Sequence, residues 1–183
     1  ADLGASTNLS SEEGATSLAQ FMAVMGTSQS SIRNLGSTLV ELGNNVATNE
    51  RSIVEMSQRL SGMGKQTNKS EADVLGLAAA MSTVGIEAEA GGSAMTQVMT
   101  KMQNAVMSGG ENLGKFAKAA GVSAREFANA FNNRPVEALG LVLKGLKNVK
   151  ERGGNVNDVL ASLGVTGIRE ADDMKRLTGA LDG

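Results

Sequence analysis

The sequence predicts an all-α fold, a multi-helix bundle of short-to-medium helices joined by Gly-rich turns. Three observations predict it. Apolar residues recur at steps of three and four almost throughout the chain. No run of β-branched residues alternates with polar ones for long enough to form a strand. Glycine occurs 23 times and proline once in 183 residues, so breaks are frequent and they are glycine breaks.

The first helix is predicted from Leu18, Phe21, Met22 and Met25, which fall at i, i+3, i+4, i+7. Ser10 with Glu13 makes a capping box ahead of it, and Gly26 is a stop. A second carries Ile32, Leu35, Leu39, Leu42 and Val46, weakening at Gly43-Asn44-Asn45. A third carries Ile53, Met56, Leu60 and Met63, is entered through Thr48 and Asn49, and decays into Ser61-Gly62-Met63-Gly64. The fourth starts at Ser70, with Glu71 and Asp73 at the positive end of the helix dipole. It shows Val74, Leu75, Ala78 and Met81 and ends by Gly85. A fifth is expected after Gly91-Gly92-Ser93, carrying Met95, Val98, Met99, Met102 and Val106 and closed by Ser108-Gly109-Gly110.

Shorter elements follow. Leu113 to Ala120 ends at Gly121, and Ser123 with Glu126 opens Ala124 to Phe131 through a second capping box. Pro135 suits the first turn of a helix showing Val136, Leu139, Leu143, Leu146 and Val149, with Lys144, Lys147 and Lys150 opposite and Gly153-Gly154 as its stop. Asn155 to Leu163 and Ile168 to Leu181 complete the chain. The Gly109-Gly110 break suggests two subdomains, a core of about five helices over 1–108 and a helical C-terminal part over 109–183. The similar openings at Leu9–Glu13 and Lys69–Asp73 read as shared capping chemistry.

Composition closes several function classes. With no His and no Cys there is no Cys nucleophile, Ser-His triad, disulfide or ordinary zinc, haem or iron–sulfur site. The net charge of −2 offers no basic footprint for nucleic acid, and four Phe are the only aromatics, too few for a base-stacking surface. The longest apolar-looking run, Val74 to Ile86, is broken by Gly76, Ser82, Thr83 and Gly85 and falls short of the ~20 residues that span a bilayer. The helices' polar faces, rich in Ser, Thr, Asn and Gln, do not suit anionic lipid.

Near-misses are structural. Gly109-Gly110-Glu111-Asn112-Leu113-Gly114-Lys115 imitates a phosphate-binding loop, but Phe116 stands where a Ser or Thr must ligate Mg²⁺. Gly64-Lys65 departs further, with Arg59 in place of the first Gly. The carboxylate pairs Glu12-Glu13, Glu87/Glu89 and Asp172-Asp173 read as helix-end or surface charge, the last on a solvent-facing run from Arg169 to Arg176. Met95, Met99 and Met102 read as core filler. The residues thus predict a protein that is not an enzyme, uses no cofactor, and gains by burying Ala-, Gly- and Met-lined stripes against other helices or other copies.

Specific strings add a family. FMAVMGTSQSSIRNLGSTLVELG, from Phe21 to Gly43, with the stretch that follows it to Val106, resembles the core region of tail tape measure proteins of long-tailed bacteriophages and prophages. Gly85-Ile86-Glu87-Ala88-Glu89-Ala90-Gly91-Gly92-Ser93 resembles that family's G-I-x-x-E-x-x-G-[TS] turn. Leu163-Gly164-Val165-Thr166-Gly167-Ile168-Arg169 resembles its closing (F/L)-G-x-x-G-x-R element, with Leu163 where Phe is often found. The likeness runs from about residue 5 to 178.

The resemblance implies a virion structural protein, of which this chain is a piece. It implies action in tail assembly and tail-length determination, a part in genome ejection, residence in the tail lumen, and passage through the host cytoplasm during assembly. Implied partners are tail tube and tail tip or baseplate proteins, assembly chaperones and further copies of itself, with membrane contact only during ejection. Within this reading Gly85, Ile86, Glu89, Gly91, Gly92, Gly164, Gly167 and Arg169 form a structural turn and packing motif. Gly85 and Gly91-Gly92 are expected to break the chain, Ile86 to enter the core, and Glu89 to meet a helix N-terminus. The competing reading is an all-α interaction or signalling module, which sustained heptads over long helices would favour.

Overall fold

The computed structural model describes residues 11–26, 32–45, 50–66 and 70–181. Among these residues the chain is all-α, with ten helices and no strand. They are α1 (Ser11–Met25), α2 (Ile32–Asn45), α3 (Glu50–Gln66), α4 (Glu71–Thr83), α5 (Ala88–Ser108), α6 (Gly110–Ala120), α7 (Ala124–Asn133), α8 (Pro135–Glu151), α9 (Val156–Ser162) and α10 (Ile168–Ala180). The chain divides into two compact units, Ala1–Ser93 and Ala94–Gly183.

In the first unit α3 packs against α4 and α1, and α2 against both α3 and α4. The predicted stripes supply the core: Leu18 and Phe21 from α1, Leu39 from α2, Ile53, Met56 and Leu60 from α3, and Val74, Leu75 and Met81 from α4 are essentially inaccessible. Each such side chain contributes about 1.5–3 kcal/mol by leaving water. Polar bonds set the register between helices. The Gln58 amide donates to Gln20 Oε1 at 3.0 Å, and the Ser82 hydroxyl donates to the Ser52 carbonyl at 3.3 Å. The opening of α4 matches expectation, with the Asp73 N–H donating to Ser70 Oγ at 3.2 Å. The expected capping box at Ser10 and the entry through Thr48 and Asn49 lie outside the described residues, as does Val46. Helix α3 runs through Ser61-Gly62-Met63-Gly64 to Gln66 instead of decaying there.

In the second unit α8 is central, packed by α6, α7, α9 and α10. Pro135 occupies its first turn, where the missing N–H is not needed. Leu139, Val142 and Leu146 are fully buried on its inner face. Phe116 of α6 stacks on Phe127 of α7 with centroids 5.9 Å apart and planes 19° apart. Helix α6 meets α8 almost backbone to backbone: a Cβ on Gly145 would lie 1.7 Å from the Ala119 carbonyl oxygen. The Ser123–Glu126 capping box is complete, with the Ser123 N–H donating to Glu126 Oε2 at 2.8 Å and the Glu126 N–H donating to Ser123 Oγ at 3.2 Å. The hydroxyl and N–H of Ser123 hold the exposed Glu126 carboxyl below the usual carboxylate range. Met95, Met99 and Met102 of α5 are wholly buried, as filler residues should be.

Candidate functional site

The residues singled out from the sequence fall at two turns. The first, in the first unit, follows α4. Gly85 has φ +73°, which only glycine adopts without strain. Its N–H donates to the Ser82 carbonyl at 3.0 Å, and the Ile86 N–H donates to the Met81 carbonyl at 3.1 Å. This is a Schellman closure, in which two otherwise orphaned carbonyls of the ending helix are satisfied. Ile86 then enters the core and is 7% exposed. Glu89 lies exposed in the first turn of α5, where a carboxylate meets the positive end of the dipole.

Gly91 and Gly92 do not break the chain. Helix α5 begins at Ala88, so both glycines are inside its opening turns and both are buried. The physical reason is close packing. A Cβ on Gly92 would lie 2.5 Å from Arg59 Cβ and 3.6 Å from Met56 Sδ, so the bare backbone lets α5 lie against α3. Glycine's weak helix propensity, which suggests a break, is outweighed by tertiary contact.

The second turn, in the second unit, joins α9 to α10. Gly164 has φ +75°; its N–H donates to the Ala161 carbonyl at 3.0 Å, and the Val165 N–H donates to the Leu160 carbonyl at 2.9 Å. Val165, like Ile86, is buried directly after the glycine. The same pair of bonds closes α6 at Gly121-Val122 and α8 at Gly153-Gly154. Gly167 caps α10 in an extended conformation. A Cβ there would meet the Glu170 carboxylate, 2.9 Å from Oε1. Arg169 is exposed, and Ile168 beside it is 89% exposed.

Two residues near this turn depart from the sequence reading. Glu170 and Asp173 belong to a charged run that reads as solvent-facing, yet both are buried, at 7% and 4% exposure. They share a helical face with buried Met174 and Leu177, at spacings i, i+3, i+4, i+7. That spacing is visible in the sequence and is masked by the charge of the first two members. Glu170 forms an ion pair with Lys101 of α5. Asp172, by contrast, is on the surface and accepts from Arg176 Nε at 2.8 Å.

The loop-like string at Gly109–Lys115 is a helix junction. Gly109 and Gly110 both have positive φ, α6 starts at Gly110, and Lys115 pairs with Glu111 at 2.8 Å. That bond to Lys115 and its charge hold the exposed Glu111 carboxyl below the usual range. A depression of about 420 Å³ beside it is lined by Lys101, Asn104, Ser108, Asn112, Lys115 and Ser162, among other residues. Among the described residues no group of three Asp or Glu is placed to hold a metal ion. None of the described helices is long and apolar enough to cross a membrane.

Both turns end one helix and lead into the next. A model of the phage-related minor tail protein family matches residues 1–164. The chain belongs to the phage-related minor tail protein family. Its role is therefore structural and its place is the phage tail. The match takes in the whole first turn of this tail protein and ends at Gly164, inside the second. No curated protein and no solved structure matches the chain.

Proposed function

We propose that the chain is a segment of a tail tape measure protein, a non-catalytic ruler that acts in tail assembly, sets tail length and takes part in genome ejection. The observation that carries this reading is the minor tail family match over residues 1–164, in a chain whose described parts are ten helices joined by short turns. A helix advances about 1.5 Å per residue, so a helical chain converts residue number into length without any chemistry. Gly85, Ile86, Glu89, Gly91, Gly92, Gly164, Gly167 and Arg169 serve as turn and packing positions. The Gly109-Gly110 boundary expected between 1–108 and 109–183 falls inside the second compact unit, which begins at Ala94. Its partners are tail tube and tail tip or baseplate subunits, assembly chaperones and further copies of itself. It resides in the tail lumen after assembly in the host cytoplasm.

Photocrosslinking in assembled virions tests the placement. A crosslinker at Ile168 or Met107, which are 89% and 77% exposed, is expected to capture tube subunits. Capture of capsid proteins alone would overturn the lumen placement, and so would labelling of these positions by reagents confined to the outside of intact tails.

A further inference from the structure

Helix α10 buries two carboxyl groups one turn apart, and their surroundings treat them differently. Glu170 is given a cation, because Lys101 of α5 donates to its Oε2. Asp173 is 4% exposed, and its Oδ2 is buried with no hydrogen-bond partner. On its own helix Asp172 and Glu170 carry like charge, Asp172 holds Arg176, whose charge still pulls on Asp173, and Arg169 and Lys175 are exposed. From α8, the helix packed against α10, Lys147 donates to the Leu181 carbonyl at 2.7 Å and pairs with Glu151. Lys144 and Lys150 of α8 are exposed. From α5, Lys101 is taken by Glu170. An ionised carboxylate here would have no hydrogen-bond donor at one oxygen, which is costly, whereas the neutral acid is tolerated.

We propose that Asp173 is a proton-operated clasp: α10 docks on α8 with Asp173 protonated, and ionisation of that carboxyl loosens the helix. Burial first, and then the neighbouring Asp172 charge, push the carboxyl from 3.8 up to about 7, against the pull of Arg176. The sign follows from proton counting. Undocked, Asp173 ionises near 3.8, and docked, near 7. Between those values the docked form carries one more proton, so docking weakens about tenfold for each pH unit of rise and levels off above neutrality.

Two measurements on the full chain test the clasp. Carbon-detected NMR of the Asp173 carboxyl should show a midpoint near neutrality. Amide exchange in α10, corrected for intrinsic rates, should report opening at least about tenfold more frequent at pH 7 than at pH 5. Asp173→Asn keeps the shape without the charge and should abolish that rise, while Asp172→Asn should move the midpoint down. A carboxyl midpoint below about 5 overturns the proposal whether or not the variants fold. So does an unchanged pH response in a folded Asp173→Asn protein.

Discussion

The turn after α4 and the turn after α9 end a helix by the same bonds and begin the next one for different reasons. Both place a glycine at φ above +70° and bury the β-branched residue that follows, Ile86 in one case and Val165 in the other. Beyond that point they diverge. The first turn leads to Gly92, whose missing side chain admits the neighbouring helix α3. The second leads to Gly167, whose missing side chain admits the carboxylate of Glu170 in its own helix. At these two turns the helix stop is the same local device, whereas the glycine at the start of the next helix answers to a different neighbour.

That difference can be broken by single substitutions with effects of graded size. The largest is expected at Gly92. Ala there normally gains about 1 kcal/mol in a helix, but its methyl would press on Arg59 Cβ, which is fixed to the α3 backbone. A net loss of about 2–3 kcal/mol should appear in denaturant unfolding of the first unit. Next come Gly85→Ala and Gly164→Ala, which force a side chain into the left-handed region. Each should cost about 1–2 kcal/mol, and the two costs should be alike. Gly167→Ala should cost less, about 0.5–1 kcal/mol, because the far end of the Glu170 side chain can move aside. Its signature is a stability that no longer falls with added salt, since the Lys101 pair is the interaction displaced. The smallest effect has the opposite sign: a methyl added at Gly140 of α8 would meet nothing within 4 Å, so Gly140→Ala should gain up to about 1 kcal/mol. Gly145, further along the same helix, cannot accept that change without moving Ala119.

The local devices were legible in the residues themselves. The Ser123–Glu126 box, the Ser70 cap, Pro135 in a first turn, and the stops at Gly85, Gly121 and Gly153 depend on neighbours in sequence and stand in the structure as read. The apolar stripes of α3, α4 and α8 were equally plain, because burial follows their period. What was not legible depends on contacts distant in sequence. Gly91-Gly92 has the composition of a break, yet both residues are helical and Gly92 lies against Arg59 of α3. Glu170 and Asp173 have the chemistry of a surface and are buried because Met174 and Leu177 fix which face of α10 turns inward.

The most direct test of the ruler account is the length of the tail itself. Phage encoding in-frame deletions or duplications of whole helices, with α6–α10 as one unit, should be imaged and their tails measured. The account predicts tails shortened or lengthened in proportion, by up to about 1.5 Å for each residue removed or added. Tails of unchanged length, carrying the altered protein, would contradict it.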